Sequence, residues 1–167
     1  MILSCFGCSN SKATQGNKAT FSEEDEMNKT ISDYIVNNNA DKFLKTDKQF
    51  EAHKIYGIEK KDEVINVYMY SLFEGFSIID ESLKSMSGSS CPVLIKLEKK
   101  NNKYTVVEYK LPTDGEYYAK SIRKMFPSEY AEQALRDTSH SLKLDEQINT
   151  KAKEWLKQQG KDIKIIG

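Results

Sequence analysis

The chain has 167 residues, the length of one ordinary domain, and can bury a single hydrophobic core without disulfides or metals. Its 25 basic and 25 acidic residues cancel, so no overall field draws it to nucleic acid or to an anionic membrane surface. Only Arg123 and Arg136 carry the guanidinium fork that reads phosphates and base edges, and no stretch approaches the roughly 18 apolar residues of a membrane span.

Cys5 and Cys8 stand in the opening ILSCFGCSNSK, ahead of any folding pattern. A redox pair needs a strand before it and a helix after it, but only residues 1–4 precede and a Ser, Lys, Asn, Thr and Gly tract follows. Zinc needs a second ligand pair, which Cys91, His53 and His140 do not supply at metal-site spacing, so no metal or cofactor is expected. Each cysteine instead follows a small residue, as in a bacterial lipobox. The pattern predicts acylation at Cys8 or Cys5 with residues 1–21 as a flexible tether, and it requires the rest of a signal peptide upstream of Met1. The alternative is a disordered N-terminus whose cysteines have no role.

Residues 22–160 read as one domain and 161–167 as a C-terminal tail. Ser22 with Asp25 forms a capping box, and Met27, Ile31, Tyr34 and Ile35 recur at helical spacing until Asn37-Asn38-Asn39. The period then changes to that of strands. Residues 50–59 and 64–76 flank a charged turn, and 92–99 and 104–111 flank Lys100-Asn101-Asn102-Lys103, where asparagine tolerates the positive φ of a tight turn. Ser87-Gly88-Ser89-Ser90 reads as a loop between the hairpins, and residues 78–86 as a short further strand. Pro112-Thr113-Asp114-Gly115 ends the sheet, with Asp114 expected to cap a helix over 116–126. A helix over 129–137 follows. The last helix carries Leu144, Ile148, Ala152, Trp155 and Leu156 at steps of three and four and stops at Gly160. Segregated strands and helices predict an α+β fold: an N-terminal helix on a four- to five-stranded antiparallel sheet, cystatin-like or similarly curved, followed by C-terminal helices.

Catalytic signatures are few. There is no Gly-rich phosphate loop, zinc-helix motif or nucleophile elbow. Glu51 and His53, two apart on a predicted strand, share a face, so the carboxylate can orient the imidazole, although a plain strand pair accounts for them as well. Cys91 at a strand start reads as a small buried hydrophobe, and His140 as a loop or helix-cap residue. The densest stretch is YTVVEYKLPTDGEYYAKSIRKMFP, where Tyr109, Asp114, Tyr117 and Tyr118 crowd a strand, turn and helix. Aromatics with polar tips at a turn can form a recognition surface, or they can seal the sheet against the helix.

The same run, with Glu108-Tyr109-Lys110, Pro112, Asp114-Gly115, Tyr117-Tyr118, Ser121-Ile122 and Met125-Phe126-Pro127, resembles a domain of Gram-positive bacteria. That domain is the extracytoplasmic C-terminal extension of clostridial BlaR/MecR-type membrane metallopeptidases, and it also occurs in small lipoproteins. The resemblance implies a location outside the membrane and a sensing or partner-binding role. It does not import the peptidase, whose zinc motif and membrane helices are missing from these residues. The expectation is therefore a non-enzymatic binding or sensory accessory domain, lipid-anchored on the outer face of the cytoplasmic membrane and contacting a cell-envelope protein, with no small-molecule ligand identified. If Met1 is the true start, it is instead cytoplasmic. An inhibitor or immunity-type protein, and a small hydrolase or isomerase with a pocket in a curved sheet, are the alternatives.

Overall fold

The computed structural model describes residues 22–137 and 140–167; the expected tether, with Cys5 and Cys8, lies outside them. Helix α1, Glu23–Asn39, begins with the anticipated capping box: the Ser22 hydroxyl accepts from the Asp25 amide at 3.1 Å, and the Asp25 carboxylate accepts from the Ser22 amide at 3.1 Å. Two orphan donors are satisfied, and Met27, Ile31 and Ile35 are turned onto the sheet.

Four long strands follow as an antiparallel meander: β1 Lys48–Lys61, β2 Val64–Ile79, β3 Ser82–Lys100 and β4 Lys103–Lys110, in that spatial order. The β3–β4 turn uses Asn101 and Asn102 at φ of 50° and 59°, the left-handed pair that a two-residue hairpin needs. After a 3-10 turn at Gly115–Tyr117 come α2, Tyr118–Met125, α3, Ser128–Arg136, and α4, His140–Gln158. Last is β5, Lys164–Ile166, which pairs parallel with residues 82–84 of β3. The architecture is α+β, and its sheet is antiparallel apart from that one pair.

Three expectations change. Residues 87–90 are not a loop but the middle of β3, laddered against residues 72–75 of β2. Their small side chains suit the strand because β2 lies so close there: a Cβ on Gly88 would stand 2.5 Å from the Phe73 carbonyl oxygen. The terminal segment 161–167 contains a strand, since Ile163 and Ile165 pack into the cluster beneath α4. Asp114 makes no side-chain capping bond, because the chain enters a 3-10 turn before α2 and the first helical amides do not face its carboxylate.

Both faces of the sheet are covered. On one, α1 lays Met27, Ile31 and Ile35 over Val67, Met69, Val93 and Ile95. On the other, α4 packs Leu144, Ile148, Ala152 and Leu156 against Phe50, Leu72 and Phe76, while α2 and α3 cover Tyr68 and Leu94 with Ile122, Phe126, Ala131 and Ala134. The docking of α3 depends on Gly57. Its missing side chain admits the Tyr130 ring, whose Cζ would lie 2.1 Å from any Cβ placed there. Gly57→Ala should therefore cost about 1–3 kcal/mol by chemical denaturation, and the cost should largely vanish in a Tyr130→Ala background. Equal costs in both backgrounds would show that the ring is not what the glycine accommodates.

Candidate functional site: the groove over the β1 edge

Strand β1 pairs with β2 alone, so among the described residues its other edge carries no strand. That edge is recessed between α1 and α4, which pack on opposite faces of the sheet. A groove of about 440 Å³ runs along it, walled by Ser32, Asp33 and Val36 from α1 and by Lys151, Glu154 and Trp155 from α4. Its floor is residues 48–51 in sequence. Side chains of a strand alternate between faces, so what four consecutive residues share along one groove is their backbone edge. A second cleft of about 570 Å³ shares Ser32, Asp33, Lys151 and Glu154 and continues along the strand to His53.

One edge group is already engaged. Lys151 Nζ donates to the Glu51 carbonyl oxygen at 2.6 Å, a side chain of α4 pinned to the main chain of β1. Because Glu51 turns its carbonyl into the groove, strand alternation turns the N–H and C=O of Gln49 and His53 the same way, while Phe50 and Ala52 bond to β2.

Beneath the groove, Glu51 is 1% exposed and anchors a polar cluster on the α1 side of the sheet. Ser32 Oγ donates to its carboxylate at 2.7 Å and Ser71 Oγ at 2.8 Å, and His53 Nδ1 lies 3.1 Å away. The other ring nitrogen, Nε2, lies 3.2 Å from Asn28 Oδ1. Burial by itself pushes the Glu51 carboxyl up. Hydrogen bonding to His53, the His53 charge and the two serine hydroxyls outweigh it, so the group is held below the ordinary carboxylate range.

The expected pairing of Glu51 with His53 is therefore present, in an arrangement suited to holding α1 on the sheet. In a carboxylate-histidine-nucleophile chain the far imidazole nitrogen faces a hydroxyl or thiol. Here it faces the side-chain amide of Asn28, and both nearby serines point at Glu51 instead.

The four residues of the aromatic turn do not form one surface. Tyr109 packs edge-on against Tyr34 of α1, with ring centroids 5.8 Å apart, and burial raises its phenol. Tyr118 joins the cluster under α2 and α3, on the other face of the sheet, and is pushed up to about 12 by burial and then by neighbouring Tyr70, Cys91 and Asp114. Tyr117 stays 55% exposed, and Asp114 is exposed beside it. Cys91 is half-buried among the α1-side residues, its thiol pushed up to about 11 by burial and then by the Asp114 charge, which leaves it a poor nucleophile. His140 is the first residue of α4. Among the described residues no group of three or more His, Cys, Asp or Glu is placed to hold a metal ion.

Sequence reasoning passes over Lys151, Glu154 and Trp155 because α4 reaches β1 across about a hundred residues of chain, as the Lys151 bond to Glu51 shows. The local signal is slight: Asn28 and Ser32, one turn apart, place a polar stripe on α1 beside its apolar one. Comparison with protein-family models, curated proteins and solved structures found no match.

The lowered carboxyl sets the sign of a pH dependence. Glu51 stabilises the fold fully above the unfolded carboxylate range, and this contribution is lost as pH falls through its folded value. Glu51→Ala at neutral pH should cost on the order of 3 kcal/mol, since it strands the buried partners of the carboxylate. The stability gap between the parent and Glu51→Gln, read by urea unfolding, should narrow on acidification. A gap that widens toward low pH would refute the assignment.

Proposed function

We propose that this chain is a non-enzymatic binding module and that the groove over the β1 edge is its recognition site. The observation that carries the reading is the pairing of an open groove floored by strand backbone with a polar cluster whose acceptors are spent on structural partners. A hydrolase or isomerase needs a group free to take or give a proton at a substrate. Glu51 engages Ser32, Ser71 and His53, and both ring nitrogens of His53, in the adjoining cleft, are taken up by Glu51 and Asn28. Both faces of the sheet, where a curved-sheet enzyme would keep its pocket, are filled, one by Met27, Ile31 and Ile35 and the other by Leu144, Ile148, Ile122 and Phe126. No helix among the described residues is long and apolar enough to cross a membrane. A lipid on Cys8 or Cys5 would hold the module at the outer face of the cytoplasmic membrane, next to envelope proteins.

Two measurements test this. A photo-crosslinking residue at Gln158, on the groove rim, should give a discrete protein adduct in cells, whereas the same residue at Asn101, in the far β3–β4 turn, should give none. Equal labelling from both positions would sink the groove as the site. For the anchor, the native protein should partition into detergent and lose that behaviour on Cys8→Ser or Cys5→Ser; partitioning that survives the double substitution would exclude lipidation there.

A further inference from the structure

Resting on the binding-module reading, we infer that the occupant of this groove is an extended peptide segment of a partner, which adds to β1 as an extra strand. The chemistry of the edge identifies its ligand. Gln49, Glu51 and His53 turn alternating N–H and C=O groups outward at strand spacing, and the matching partner for such a row is another extended main chain. Lys151 marks the row as available for bonding. Its ammonium sits on the Glu51 carbonyl at 2.6 Å, in the place a strand N–H would take, and so covers an edge that would otherwise be open to indiscriminate pairing. Because the bond comes from a flexible side chain, an incoming strand can displace it.

The walls narrow the occupant further. Neither lateral edge of a second copy fits, because its own β1 is recessed between the same two helices and its β4 is bulged at Val107. A slim linear segment does. Alternate side chains of that segment face α1 and α4 in turn. On the α4 side, Phe50 and Trp155, with ring centroids 6.4 Å apart, offer an apolar seat. The charges around it are mixed, with Lys48 Nζ over the Phe50 ring at 6.0 Å from its centroid and Glu154 exposed on the α4 wall, so the apolar seat and not charge sets the preference on that side. The recognised sequence is thus extended, with an apolar or aromatic residue seated on the α4 side.

The probe is a linear peptide selected from a displayed library on the full chain. At a peptide concentration about ten times its Kd, exchange of the Gln49, Glu51 and His53 amides should slow by about tenfold, while Phe50 and Ala52, already laddered to β2, change little. Backbone N-methylation of the peptide at one set of alternate residues should abolish binding, and at the other set it should leave binding nearly unchanged. Lys151→Met should tighten binding by about threefold, since the strand no longer competes with the ammonium for the Glu51 carbonyl.

Strand addition is overturned if no peptide is selected, if both N-methylated sets bind alike, or if protection falls around Tyr117 instead. It is also overturned if the groove amides are slow in the free full chain and speed up when residues 1–21 are removed, which would make the chain its own occupant. A Gln158 adduct in cells together with N-methyl-insensitive peptides leaves the binding module standing and removes only the strand. Failure of both removes both.

Discussion

The constraint that organises this molecule is that β2 is apolar on both of its faces. Val67, Met69 and Phe73 point one way and Tyr68, Leu72 and Phe76 the other, and all six are buried. A sheet built around such a strand cannot leave one side to water, so the helices flanking it in sequence must close over opposite faces. With α1 committed to one face and α4 to the other, the edge strand between them is left at the bottom of a groove. The candidate site is thus a consequence of how the core is divided.

The cluster around Glu51 shows how polar groups are carried inside that division. A carboxylate at 1% exposure would be costly if it were bare. It is retained because α1, β1 and β2 each supply a hydrogen-bonding partner, through Ser32, His53 and Ser71. The result is a directional tie between helix and sheet, where apolar contacts alone would let α1 slide along its axis. On the far side of the same strand, Lys54 and Tyr56 both engage Asp137 at the end of α3. Strand β1 is therefore fastened to helices on both sides while its edge stays open.

The two lateral edges of the meander are managed differently. On β4 the register slips so that Val107 bulges out, and Glu108 pairs with both Lys96 and Lys110. A bulge and a row of charges discourage pairing with another chain. On β1 the residues from 48 to 55 keep an unbroken register against β2, and among the described residues the edge is shielded by its recession and by Lys151. One edge is closed by distortion and the other by a removable side chain. That asymmetry is why the groove and not β4 is read as the place of recognition.

What the sequence by itself determined was local. The capping box at Ser22 and Asp25, the turn at Asn101-Asn102 and the three-and-four spacing of α4 depend on residues within a few positions of one another, and each is present in the fold. The α+β class followed from the segregation of those patterns. Pairing partners that are distant in the chain were decided only by the tertiary structure. Residues 87–90 carry the composition of a loop and become strand because β2 provides a ladder beside them, and residues 164–166 do so because β3 provides another. Tyr109 and Tyr118, nine residues apart, go to opposite faces of the sheet because a strand, a turn and a 3-10 segment lie between them. The groove belongs wholly to this second kind. Its floor comes from residue 48 onward and its walls from residues near 32 and 151, and only the burial of both faces of β2 brings those three segments to one line.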